Sequence, residues 1–174
     1  MLYFETIYFL LSLFLLILSS RASINIKQLP TPITLQSYAI GLIVLFIPTE
    51  VMLLSIFAYV ILGIVGLPIF SNNSTGIKAL LGPTGGYIIG FLIVAIFFYL
   101  LKENSYFSDD KTFVIFNWMI VLHLIIIICG FCRLIFIIGS KEAFNKGVVL
   151  IFPAVIKSLM LTLTFVILRN ISLL

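Results

Sequence analysis

The chain has 174 residues, of which 63% are hydrophobic and 9% charged, and a formal net charge of +4. Soluble domains carry roughly 25% charged residues, so the composition excludes a soluble enzyme and predicts an all-α integral membrane protein, one membrane domain over residues 1–174. At about 20 apolar residues per crossing there is room for five or six spans and for no separate catalytic domain. The ten Lys and Arg are scattered, which argues against nucleic-acid binding and for ordinary charge at the lipid surface.

The first apolar run predicts a span over 2–19. A secretory leader needs a basic residue ahead of its apolar core; Glu5 stands there instead, so the segment is expected to be retained. The polar connection "SSRASINIKQLPTP" leads to a second span over 34–47. Pro48-Thr49-Glu50 separates it from a third over 51–66, because proline lacks the amide a continuous helix needs. After the connection "LPIFSNNSTGIKALLGPTGG" come a fourth span over 87–101, the charged loop "KENSYFSDDK", a fifth over 113–138, the loop "GSKEAFNKG" and a sixth over 153–168. Both ends then lie on one side. If that side is cytoplasmic it holds Lys102, Lys111 and Arg169, against Arg21, Lys27, Lys78, Lys141 and Lys146 opposite. The positive-inside rule favours the reverse orientation.

The connection between spans 3 and 4 is too long for a hairpin and too apolar for a free aqueous loop. Leu67, Ile69, Phe70, Ile77, Leu80 and Leu81 call for burial, while Asn72, Asn73, Ser74 and Thr75 call for partners. Irregular backbone at membrane depth survives only where protein buries it or a polar cavity adjoins it, so a cap folded over a cavity is expected. Gly82, Gly85 and Gly86 permit close approach to a ligand, with Gly85-Gly86 leaving the first amides of the next helix free to donate. The alternative is a tight turn whose glycines serve helix packing. The stretch is no P-loop, since the Lys-Ser/Thr ending is missing.

Lys157 lies inside the last apolar run, where a charge costs roughly 2.5–3.5 kcal/mol on insertion scales and so calls for a cavity and a partner. Pro153 favours a helix start at or just before it, setting Lys157 in the opening turns on the positive side of the helix dipole. A bound anion answers this; Glu50 or Glu142 is the structural alternative. "CGFC" at 129–132 has redox or metal spacing, but in a lipid-embedded helix without a second pair the two cysteines read as core residues. No metal site is expected. His123 reads either as a proton relay or as an intramembrane histidine satisfied by a carbonyl.

"PTPITLQSYAIGLIV", "YVILGIVGLPIF" and "LLGPTGGYIIGF", in this order and spacing, resemble the BioY family, the biotin-binding S components of energy-coupling-factor (ECF) transporters. The similarity is strongest over residues 30–95 and extends to about 168. It implies a six-transmembrane-helix bundle in the cell membrane, with cytoplasmic termini and a biotin pocket near the outer face. The connections between spans 1 and 2 and between spans 3 and 4 would cap that pocket. A scaffold T component and two ATPases would drive release inward; this chain would hydrolyse nothing and need no cofactor. The resemblance places Thr34, Gln36, Asn73, Ser74, Gly85, Gly86, Tyr87 and Lys157 in the binding site.

The chain departs from the family pattern in four places. The aspartate of the family's Pro-Gly-Asp-x-x-Lys is Ala154 here, which removes an acidic acceptor for biotin's ureido N–H groups. Asn73, Ser74 or Thr34 substitutes, or affinity falls, or the ligand is a different small anionic vitamin. An arginine that some members carry is Ile88, and the usual Gly-rich stretch reads Ser71-Asn72-Asn73-Ser74-Thr75. The first span lacks the family's Ala-x-x-x-Ala docking stripe, offering only Ser12, Ser19 and Ser20. The rival reading is a non-transport member that kept the bundle and lost its pocket, with an apolar side chain filling the space beside Ala154.

Overall fold

The structure is a computed structural model that describes residues 2–107 and 111–172, and the side chains of 3–107 and 111–171. The middle of the charged loop, 108–110, thus lies outside the described residues. Among the described residues the regular structure is helical apart from one two-stranded ladder. α1 spans Leu2–Arg21, α2 Gln36–Phe46, α3 Thr49–Val65, α4 Gly76–Leu81, α5 Gly85–Glu103, α6 Thr112–Ile138, α7 Ser140–Val148 and α8 Ile151–Ser172. β1 (Ser23–Ile24) and β2 (Ile33–Thr34) pair antiparallel, and Ser71–Asn73 forms one 3₁₀ turn. Among the described residues, four stretches are long and apolar enough to cross a membrane: Tyr3–Arg21, Gly85–Glu103, Thr112–Ile138 and Ser140–Ile171. α2 and α3 are apolar but shorter.

Local chemistry sets these boundaries. Ile47 is extended, as a residue before proline should be, and the Pro48 carbonyl accepts from Met52 N at 2.8 Å to start α3. Thr49 and Glu50, expected in the break, instead form the first turn of α3, because a proline just outside a helix removes none of its hydrogen bonds. α3 ends at Gly66, whose φ of +125° suits glycine alone. The Leu67 amide folds back onto the Leu62 carbonyl at 3.1 Å. α2 starts two residues later than the apolar run predicts, since Thr34 is held in the ladder opposite Ser23. α8 begins at Ile151, so Pro153 sits in its first turn, where a missing N–H costs nothing.

α4 and α7 are helical pieces inside segments that read as connections. α7 is amphipathic: Ala143 and Gly147 are buried against α6, while Glu142 and Lys146 form an i,i+4 ion pair of 3.3 Å on the outer face. The bundle distributes polarity as lipid dictates. Large apolar side chains such as Phe14, Ile61, Leu124 and Leu163 face outward, and Ser12, Ser55, His123, Ser158 and Thr162 are buried. Of these, the Ser55 and Ser158 hydroxyls bond to carbonyls of their own helices, Met52 O at 3.1 Å and Ala154 O at 3.0 Å.

Candidate ligand-binding site

A cavity opens at one end of the bundle, where α2, α5 and α8 begin, α6 passes alongside, and two connections contribute to its lining. It comprises about 700 Å³ of space not filled by atoms, open solvent at its mouth included. The α1–α2 connection contributes Thr31, Pro32, Ile33 and Thr34; the α3–α5 connection contributes Phe70, Ser71 and Thr84. Ile88, Phe91, Ile126 and Ile127 give it apolar walls, and Gln36, Ser37, Tyr87, His123 and Lys157 its polar points. The space beside Ala154 is open, for Ala154 itself lines the cavity.

Two pairs of contacts tie the α1–α2 side of the chain to the α3–α5 connection. Arg21 donates to the Pro68 carbonyl, and Asn25 and Asn72 exchange side-chain amide hydrogen bonds of 3.3 and 3.1 Å. Asn72 and Asn73 both adopt left-handed φ, +55° and +56°, which asparagine tolerates better than most non-glycine residues. Beneath them Phe70 is fully buried against Gly63, and its ring meets Tyr59 edge to face at 5.5 Å.

The central charge is Lys157. Its Nζ donates to the Thr34 carbonyl at 2.7 Å and to Ser37 Oγ at 3.0 Å, which leaves the third N–H of the ammonium for another acceptor. Both partners are neutral, and none of the lining residues is Asp or Glu. The structural alternatives for a counter-charge lie elsewhere: Glu142 pairs with Lys146, and Glu50 lines a separate groove with Glu5, where α1 and α3 begin. The cavity therefore contains a partly solvated cation and supplies no anion of its own.

Gln36 is fixed by a chain of bonds. Its Oε1 accepts from Thr34 Oγ1 at 3.1 Å and its Nε2 donates to the Tyr59 hydroxyl, which in turn donates to Ile69 O at 2.9 Å. One amide hydrogen remains available. The Tyr87 ring packs on Gly130, so closely that a Cβ there would overlap it. Its buried hydroxyl lies beside the Thr31 side chain but outside hydrogen-bond geometry.

Four of the eight residues singled out from the sequence thus converge on the cavity: Thr34, Gln36, Tyr87 and Lys157. The other four are placed off it. Asn73 is exposed, and Ser74 Oγ donates to Ser71 O at 2.8 Å. Gly85 gives its amide to Gly82 O at 3.1 Å and leaves no room for a Cβ against Leu80 O. Gly86 packs its α-carbon face against Cys129 O of α6. The glycines of the opening turn thus serve close packing, and Ser71 rather than Ser74 reaches the cavity. Sequence reasoning missed Ser37 and Arg133, whose guanidinium caps the end of α4 at Leu81 O and Gly82 O. Ser37 adjoins Gln36, but no residue pattern marks it as a lysine partner. Cys129 and Cys132 are free thiols on α6, and no group of metal-ligating side chains occurs among the described residues.

Fold and cavity define a multi-pass, all-helical membrane protein with a polar-pointed chamber at one end of the bundle. A model of the BioY family matches residues 4–172, and the chain belongs to that family. Similar proteins include the probable biotin transporter BioY of Pyrococcus horikoshii, 34% identical over 150 residues, 86% of this chain and 87% of that one. That of Rickettsia prowazekii is 31% identical over 155 residues, 88% and 77% of the two chains. The biotin transporter BioY2 of Lactococcus lactis is 30% identical over 138 residues, 76% and 72%. The fold matches a crystal structure of the S-component for biotin from an ECF-type ABC transporter, with a TM-score of 0.80 at 23% identity, covering 95% of this chain and 90% of that one.

Proposed function

We propose that this chain is the biotin-binding S component of an ECF-type uptake transporter in the cell membrane. Its six apolar helical segments α1, α2, α3, α5, α6 and α8 cross the bilayer as one domain with both termini cytoplasmic. The observation that carries the reading is Lys157: a half-buried ammonium, bonded only to neutral oxygens, in an apolar-walled cavity without a carboxylate of its own. Biotin's carboxylate supplies the missing charge, and its bicycle lies against Tyr87, Phe91 and Ile126, with Gln36 and Thr34 at the rim. Asn73, Ser74, Gly85 and Gly86 act on the site by shaping the cap and seating α5. A scaffold T component and two ATPases power release of the vitamin inward, so this chain catalyses nothing.

Ala154 favours a second reading. With no acidic group in the cavity, a different small anionic vitamin fits the same lysine. Both readings are tested by saturation binding of radiolabelled biotin to the purified protein, with competition by other vitamin carboxylates. Saturable, stoichiometric biotin binding is expected, and cellular uptake is expected only when a scaffold and its ATPases are co-expressed. Displacement by another carboxylate at far lower concentration would transfer the assignment to that ligand; a cavity that retains neither would contradict both readings.

A further inference from the structure

Two buried side-chain polar atoms of the cavity-lining residues have no hydrogen-bond partner: the Tyr87 hydroxyl and Nε2 of His123. An unpaired buried polar atom is costly unless something arrives to pair with it. The histidine is the more informative of the two, because its surroundings fix its tautomer. Nδ1 lies 2.8 Å from Met119 O, a carbonyl that can only accept. It also lies 3.0 Å from Ser158 Oγ, whose own proton is committed to Ala154 O at 3.0 Å. The Met119 carbonyl therefore calls for the proton on Nδ1, an arrangement Ser158 accommodates while its own hydroxyl donates to Ala154 O, and in that neutral ring Nε2 is a bare acceptor. Nδ1 is turned back onto α6 and α8, and Nε2 is a buried, unpartnered atom of a residue that lines the cavity.

We infer that His123 Nε2 is the acceptor for a ligand N–H, so that the site selects an anion that also carries a hydrogen-bond donor. The inference deepens the binding-subunit reading and rests on it. Lys157 takes the charged end of the ligand, and His123, mid-way along α6, takes the N–H end. Ser158 links the imidazole to the main chain of Ala154, the position where an acidic side chain is missing, and both His123 and Ala154 line the cavity. A ureido group such as biotin's supplies the N–H.

His123 is the chain's only histidine, so wild-type protein labelled with ¹⁵N-histidine in lipid nanodiscs reports one imidazole. Without ligand, Nδ1 is expected to carry the proton and Nε2 none. On saturation with biotin, the Nε2 resonance is expected to move as that of a hydrogen-bonded acceptor while remaining unprotonated. In parallel, His123→Leu is expected to bind biotin about 10-fold more weakly, with His123→Gln, which keeps an acceptor oxygen, falling between. Biotin binding, verified by calorimetry on the same sample, with an unmoved Nε2 or a protonated one overturns this inference and leaves the binding-subunit reading standing. So does a His123→Leu variant that binds as tightly as wild type. Absence of biotin binding to the wild type overturns both.

Discussion

At the scale of single residues, the cavity is organised by groups whose hydrogen-bonding capacity is only part used. Lys157 spends two donors on Thr34 O and Ser37 Oγ, and Gln36 spends one amide hydrogen on Tyr59. Tyr59 is the hidden support, because it accepts from Gln36 and donates to Ile69 O at 2.9 Å. Tyr59→Phe orphans both partners, so a loss of about 1–3 kcal/mol is expected. It should appear as a lower melting midpoint in detergent with the helical circular-dichroism signal retained; an unchanged midpoint counts against the chain of bonds. Lys157 was legible in the sequence because a charge in an apolar run needs an explanation. Ser37 and Tyr59 were not, and His123 stood out without its role being decided, since a serine, a histidine or a tyrosine in a lipid helix looks the same whether it braces a pocket or bonds its own backbone.

At the scale of elements, apolar runs and proline placed the long helices, because such runs in lipid leave the backbone no partner but itself. Connections were harder to read. The mix of apolar and amide side chains in "LPIFSNNSTGIKALLGPTGG" argues for a segment folded against a cavity, and Phe70 and Ser71 of it line one. Its short α4 and the separate α7 were not anticipated, since six or nine residues carry too little periodicity to stand out. Nor could the sequence separate glycines that admit a ligand from glycines that admit a helix. A Cβ on Gly86 would stand 2.3 Å from Cys129 O, backbone that cannot turn aside. Gly86→Val is therefore expected to part α5 from α6 at a cost of about 1–3 kcal/mol or more. Thermal unfolding checks this, and a variant as stable as wild type would mean that the two helices can separate freely.

At the scale of the whole molecule, a membrane protein is what composition alone implies, and the structure adds that large Leu, Ile and Phe side chains face outward while serines are buried. Which way the bundle sits in the membrane is a separate matter, because the charge distribution favours one orientation and the proposed function the other. With cytoplasmic termini, α7 and the cavity mouth face outside. A cysteine placed at Lys141 in a Cys129→Ser, Cys132→Ser background should react with a membrane-impermeant maleimide added to intact cells. Protection until the membrane is opened would put the mouth on the wrong side for uptake.

The whole account depends on Lys157 Nζ holding a ligand's carboxylate, and a cycle of two ligands and two proteins isolates that contact. Equilibrium dissociation constants would be measured for biotin and its uncharged methyl ester, on wild type and on Lys157→Ala. A charge-assisted hydrogen bond contributes about 1.5–3 kcal/mol, so wild type should favour biotin by at least about 10-fold. That preference should vanish in Lys157→Ala. Equal preference for the acid in both proteins would place the carboxylate elsewhere and contradict the assignment.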